Sequence, residues 1–242
     1  MILLEVCVDN VNGLAAALAG GADRIELCAA LEVGGLTPSA GLMRAAGASP
    51  VPVHAMIRPR AGHFRYDASE CGVMLADIDA AHAAGLQGVV FGATQADGRL
   101  DQCTLATLLA HARRLGLGCT LHRAFDLCPD LVDATRTAVG LGFERILTSG
   151  GAPSAGQGIV QLAKCIDAAA GALTIMPGAG VNVASIGALR DKLQLTEVHA
   201  SCSVPLDTGD GDAIAFGFDS TTRRQTSSAQ VAALKAALRQ PV

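Results

Sequence analysis

Half of the 242 residues are apolar, only 3% are aromatic, and the net charge is −4. That is enough for one sizeable core, and it offers no basic face for nucleic acid. No run reaches the roughly 18 uncharged apolar residues of a membrane span, and the start, Met-Ile-Leu-Leu-Glu, has no basic leader. A soluble cytoplasmic protein is expected, with no membrane partner.

Apolar runs alternate with stretches of helical period along the whole chain. In order, the strands are predicted at Ile2–Val8, Arg24–Cys28, Val53–Ile57, Gly88–Phe91, Cys119–His122, Arg145–Thr148, Leu173–Met176 and Glu197–Ala200. Between them, helices are predicted at Val11–Ala19, Ser39–Ala46, Ser69–Ala84, Leu105–Leu115, Leu131–Leu141, Ile159–Ala169 and Val183–Leu193, with a last one at Ser228–Leu238. Gly-rich breaks such as Gly20-Gly21, Gly85, Gly116, Gly142 and Gly171 mark where helices stop. Eight strands alternating with eight helices predict an α/β fold, a (β/α)8 TIM barrel, as a single domain over 1–242. A doubly wound sheet would carry a Gly-rich fingerprint after its first strand, and Asp9-Asn10-Val11-Asn12-Gly13 is not one. The irregular segment 202–224 is too long for a routine connection; with Phe216 and Phe218 it is expected to act as a lid or as a contact in a homo-oligomer.

Side chains alternate across a strand. The aliphatic faces belong against the helices, so Glu5, Cys7, Asp9, Arg24, Glu26, Cys28, His54, Met56, Arg58, Thr120, His122, Glu197, His199 and Ser201 are expected inside the barrel. Buried carboxylates oppose folding unless they are paired or used. Active sites of this fold lie at the C-terminal ends of the strands. Glu5, Glu26, Arg58, His122 and His199 are therefore the candidate catalytic groups, with acid, base and oxyanion-holding roles among them. The alternative is a buried ion-pair network.

Gly-rich turns after two strands suggest an anion site, since their N–H groups attract phosphate or carboxylate. Its candidates are Ser149, Gly150, Gly178, Gly180 and Ser201. Arg58, Arg60 and Arg65 form the most basic loop and could clamp an anion. The eight cysteines lie far apart with no C-x-x-C, which excludes a zinc ribbon and a compact disulfide scaffold; most are expected as small buried thiols.

Leu4-Glu5-Val6-Cys7-Val8-Asp9, Gly21-Ala22-Asp23-Arg24-Ile25-Glu26-Leu27-Cys28 and Gly34-Gly35-Leu36-Thr37-Pro38-Ser39 resemble the CutC family, whose name links it to copper homeostasis. So do Met56-Ile57-Arg58-Pro59-Arg60, His122-Arg123-Ala124-Phe125-Asp126, Leu147-Thr148-Ser149-Gly150 and Glu197-Val198-His199-Ala200-Ser201. The match departs at Met176-Pro177-Gly178-Ala179-Gly180, where a Gly-Gly-Gly turn is more usual. The resemblance implies a cytoplasmic TIM barrel, commonly oligomeric, with Cys7 and Cys28 as Cu(I) ligands. Inward on neighbouring strands about 4.8 Å apart, those sulfurs could hold a linear Cu(I), which prefers thiolates, with Met56 adding a thioether. A different reading of the same residues is an enzyme doing proton-transfer or glycosidic chemistry on a small phosphorylated or carboxylated sugar-like molecule. In that reading His122 and the two glutamates could also hold a harder divalent metal. A third reading is a non-catalytic oligomeric barrel. No organic cofactor is expected.

Overall fold

In the first strand, β1 (Leu3–Val8), Leu4, Val6 and Val8 bury their side chains in the outer apolar core, while Glu5 and Cys7 face the lumen. The computed structural model, which describes residues 2–206 and 211–239, repeats this arrangement seven more times. The further strands are β2 (Arg24–Leu27), β3 (Val53–Met56), β4 (Gly88–Phe91), β5 (Gly118–Leu121), β6 (Arg145–Thr148), β7 (Thr174–Pro177) and β8 (Glu197–Ala200). All their pairings are parallel, in the order β7-β6-β5-β4-β3-β2-β1-β8, and β7 and β8 lie side by side at the seam. This is the (β/α)8 barrel.

The surrounding helices are α1 (Val11–Ala19), α2 (Ala40–Ala46), α3 (Ala68–Ala83), α4 (Gln102–Arg114), α5 (Leu131–Leu141), α6 (Ile159–Ala169) and α7 (Ile186–Lys192). Side-chain caps start most of them. Asn10 accepts from the Gly13 N–H at 2.8 Å, Asp130 caps α5, and Asp67 forms a reciprocal capping box with Glu70. Asp101 caps Thr104, so α4 begins earlier than its apolar pattern suggests. Asn182 has the opposite effect: its Oδ1 accepts from Ala184 and Ser185, which holds that stretch as a turn and delays α7 to Ile186. Gly142 ends α5 in the left-handed region at φ 85°.

The segment predicted as irregular contains order. β9 (Ser203–Pro205) and β10 (Arg224–Thr226) form an antiparallel pair, with the short helix α8 (Gly211–Ala215) between them. β10 lies against α1. Phe216 and Phe218 are 76% and 85% exposed and stack on each other. The last helix, α9 (Ser228–Arg239), packs between α1 and α7 through Val231, Leu234 and Leu238 and so fills the eighth helical position. Its buried Lys235 pairs with Asp23, whose carboxylate also receives the Leu4 N–H. No helix among the described residues is long and apolar enough to cross a membrane.

Glycines on β4 and just after it make room inside the lumen. A Cβ at Gly92 would sit 2.6 Å from His122 Nδ1, and one at Gly88 would sit 2.7 Å from the His54 ring. We expect Gly92→Ala to destabilise the protein by about 1–3 kcal/mol by forcing that ring aside. Gly72→Ala, on α3 with nothing within 4 Å of the new Cβ, should instead stabilise by about 0.5–1 kcal/mol. Urea unfolding of both variants gives the comparison, and equal signs would contradict it.

Candidate functional site

The lowest layer of the lumen is a charge network. Arg24 donates through Nε to Glu5 and through Nη2 to Glu197, and Arg145 Nε reaches the same Glu197 oxygen at 3.3 Å. Glu5 is wholly buried, yet the His199 hydrogen bond and the Arg24 charge outweigh the cost of burial and hold its carboxyl well below the usual range. Glu5 is therefore ionised, and its other oxygen takes His199 Nδ1 at 2.8 Å.

That bond fixes the ring of His199, so Nε2 turns upward, 3.8 Å from Glu26 Oε2. Strand register completes the group. Cys7 stands opposite Glu26, and Glu5 stands opposite His199. One donor atom each from Cys7, Glu26 and His199 lies within 4.8 Å of the others, and all three residues are buried. Burial pushes the Glu26 carboxyl upward. Burial opposes charging of His199, but Glu26, Cys7 and Glu5 around it outweigh that and raise it well above its ordinary value.

A cavity of about 730 Å³ opens above this group at the C-terminal mouth. Its lining mixes apolar Leu31, Met56 and Phe64 with His199, Ser201 and the turn at Gly180 and Asn182. His122 reaches the cavity from the end of β5, with Phe64 tilted over its ring at 4.9 Å. Burial lowers its pKa to about 3, so the ring is neutral. Its Nδ1 accepts from the Ala124 N–H at 3.1 Å, which leaves the hydrogen on Nε2. Neither His122 Nε2 nor Glu26 Oε1 has a hydrogen-bond partner, although both are buried.

Four of the five candidate catalytic residues, Glu26, Arg58, His122 and His199, line the cavity, while Glu5 lies beneath and orients His199. Arg58 plays another part than an anion holder. Its Nη1 donates to the carbonyls of Val33 and Gly35 and its Nη2 to that of Gly62, and it stacks over Phe64. It ties the loop after β2 to the loop after β3, which uses most of its donors inside the protein, while its buried Nε has no hydrogen-bond partner. Arg60 is likewise held by Glu70 and by the carbonyls of His63 and Arg65.

Of the anion-site candidates, Gly180 and Ser201 line the cavity and Ser149, Gly150 and Gly178 do not. The N–H groups of Ser149 and Gly151 point at the carboxylate of Asp126, which also takes the hydroxyls of Thr148 and Ser149. The turn after β6 thus holds an internal anion. Gly150 is required there by close approach: its φ is 73°, and a Cβ would lie 2.6 Å from the Gly158 carbonyl oxygen. Gly178 N donates to Thr148 O. Sequence reasoning did not single out Asp126, Arg123 or Phe64. The His122-Arg123-Ala124-Phe125-Asp126 run was the available signal, since a buried His beside an Arg-x-x-Asp ion pair marks a built loop.

The two cysteines separate. Cys7 lines the cavity, but Cys28 lies outside it, packed with Met56 and Val90, its thiol 3.6 Å from Glu26 Oε2. Burial and the neighbouring Glu26 push that thiol well up. The register explains this: Glu26, two residues before Cys28, is what stands opposite Cys7.

A barrel with buried acid, imidazole and thiol groups converging under its C-terminal mouth has the architecture of a small-molecule site in this fold. The model of the CutC family matches residues 2–204. A CutC family protein of Sinorhizobium medicae is 57% identical over 237 residues, covering 98% of this chain and 96% of that one. A Rhizobium meliloti counterpart is 55% identical over 240 residues, covering 99% and 97%. The solved structure of a Streptococcus agalactiae CutC, assigned to copper homeostasis only provisionally, superposes with a TM-score of 0.78 at 30% identity, covering 83% of this chain and 99% of that one. The chain belongs to the CutC family.

Proposed function

We propose that the barrel is an enzyme that binds a small sugar-like molecule bearing hydroxyl or carbonyl groups and moves a proton on it. The observation that carries this reading is that two residues lining one cavity, Glu26 and His122, each hold a buried polar atom with no hydrogen-bond partner, Oε1 and Nε2, which a small side-chain turn would bring to a ligand. Leaving such atoms unmade costs about 1–3 kcal/mol each, a cost that ligand oxygens between them would offset. His122, neutral with its hydrogen on Nε2, would donate to a ligand oxygen and polarise its bond to carbon. The Cys7, Glu26 and His199 group would take the proton and return it. A carboxylate or phosphate on the ligand would lie at the rim, where Arg123 and Arg224 line the cavity.

The test is a thermal-shift screen with aldoses, ketoses, sugar acids and sugar phosphates. At least one class should stabilise the protein, and Glu26→Gln and His122→Gln should each weaken its binding about tenfold, the worth of one hydrogen bond. The reading is lost if nothing binds, or if both variants bind as wild type.

Copper comes with the family name. A linear two-thiolate Cu(I) site on Cys7 and Cys28 has less support than the cavity reading, because Cys7 lines the cavity and Cys28 does not, its thiol lying 3.6 Å from Glu26 Oε2. We infer a reducing, cytoplasmic setting from eight cysteines that are all free thiols.

A further inference from the structure

We propose that Cys7 Sγ, His199 Nε2 and a Glu26 oxygen form a site for one divalent ion of borderline softness, zinc above all, with its fourth position open to the cavity. This deepens the reading of the cavity as the working site and rests on it; with the ion bound, the three groups are its ligands, and the proton they would otherwise take passes to water in the open position.

The donor set is the first argument. One sulfur, one imidazole nitrogen and one carboxylate oxygen are the ligand types zinc takes, and three protein ligands with one vacant position is the pattern of catalytic rather than structural zinc. Among the described residues this is the one group of three or more such side chains with its donor atoms within 4.8 Å of one another. Two ligands about 2.05 Å from a tetrahedral ion lie about 3.4 Å apart. His199 Nε2 and Glu26 Oε2, at 3.8 Å, need only a small side-chain adjustment to close on it.

The surroundings are the second argument, and they are independent of the first. A metal-binding histidine ordinarily gives its other ring N–H to a carboxylate, which sets the tautomer. His199 Nδ1 meets Glu5 at 2.8 Å, and Arg24 holds Glu5 from below. Glu26 Oε1 is buried without a partner at the edge of the same cavity. The open position would face His122 and the ligand, where an ion polarises an oxygen or lowers the pKa of bound water to about 7.

The same geometry separates this site from a copper site. Cys28 would support Glu26 from behind and would not touch the ion. The experiment follows from that difference. Full-length protein, stripped with chelator, is titrated with Zn2+ by calorimetry and separately with Co2+ under reducing conditions. One equivalent of each should bind, and Co2+ should give a near-ultraviolet thiolate charge-transfer band with the visible bands of tetrahedral cobalt. Cys7→Ser should abolish the charge-transfer band. His199→Gln and Glu26→Gln should each weaken Zn2+ at least tenfold, Glu5→Gln should weaken it about 10–100-fold as a loss of outer support, and Cys28→Ser, which keeps a donor beside Glu26, should leave the charge-transfer band intact and weaken Zn2+ less than Glu5→Gln does. Absence of a saturable cobalt band in the wild type overturns the proposal whatever the variants do. So does equal loss in Cys28→Ser and Cys7→Ser, which would mark a two-thiolate site. If sugar-like ligands bind the stripped protein and no metal does, the inference fails and the proposed function stands; if neither binds, both fail.

Discussion

Arg24→Met is expected to destabilise the barrel by about 3–5 kcal/mol, the range for removing one partner of a buried ion pair. Arg24 is 4% exposed and satisfies two carboxylates at once, Glu5 and Glu197. Methionine fills similar space but leaves Glu5 as a charge with no exposure to water. Glu197 retains Arg145, so the loss concentrates on Glu5. Urea unfolding measures the effect. Adding Glu5→Gln to Arg24→Met should recover more than half of it, because Gln is neutral and its oxygen can still accept from His199 Nδ1. The network account is wrong if the double variant is no more stable than Arg24→Met alone. The same pair of variants separates stability from site geometry: Glu5→Gln alone should shift His199 function with a smaller stability cost than Arg24→Met.

The barrel was legible because its signals are local. Alternation along Leu3–Val8 and Glu197–Ala200 tells inside from outside without any knowledge of neighbours. Capping residues such as Asp67 and Asp130 mark helix starts for the same reason. Alternation also placed Glu26, His122 and His199 at one lumen. It does not carry register. Whether Cys7 faces Cys28 or Glu26 depends on a two-residue offset between strands that no single strand encodes. Loop hydrogen bonding was hidden too. Arg58 read as a free cation because its three acceptor carbonyls come from Val33, Gly35 and Gly62, in loops whose path is set by the folded chain. The Thr148-Ser149-Gly150-Gly151 turn read as a site for a ligand anion, and what its donors meet is the carboxylate of Asp126, supplied by the preceding loop.

Acidification should cost the wild type more stability than it costs His54→Leu. His54 is 5% exposed, its Nδ1 has no partner, and burial lowers its pKa to about 3. The unfolded chain titrates near the ordinary value of about 6.5. Between those two values the unfolded state binds a proton that the folded state refuses, so stability is lost as pH falls through about 6.5 and the loss levels off near 3. At one unit per about 1.4 kcal/mol, moving from pH 7 to pH 5 removes about 2 kcal/mol that His54→Leu would keep. Glu26 and His199, both raised, titrate in the opposite sense, their folded forms gaining protons as pH falls. The quantity to measure is therefore the difference between wild type and variant at each pH, in which those contributions cancel. A difference that stays constant from pH 7 to pH 5 would show that His54 takes up its proton within the fold. The outcome bears on His122 as well, whose pKa is lowered to the same degree by the same cause, burial. A neutral His54 next to the Arg24 and Glu5 layer would show that the lumen excludes charge from an imidazole that lacks an acidic partner. His122, which has Arg58 nearby and no carboxylate on its ring, then stays a neutral donor at the pH where the site works.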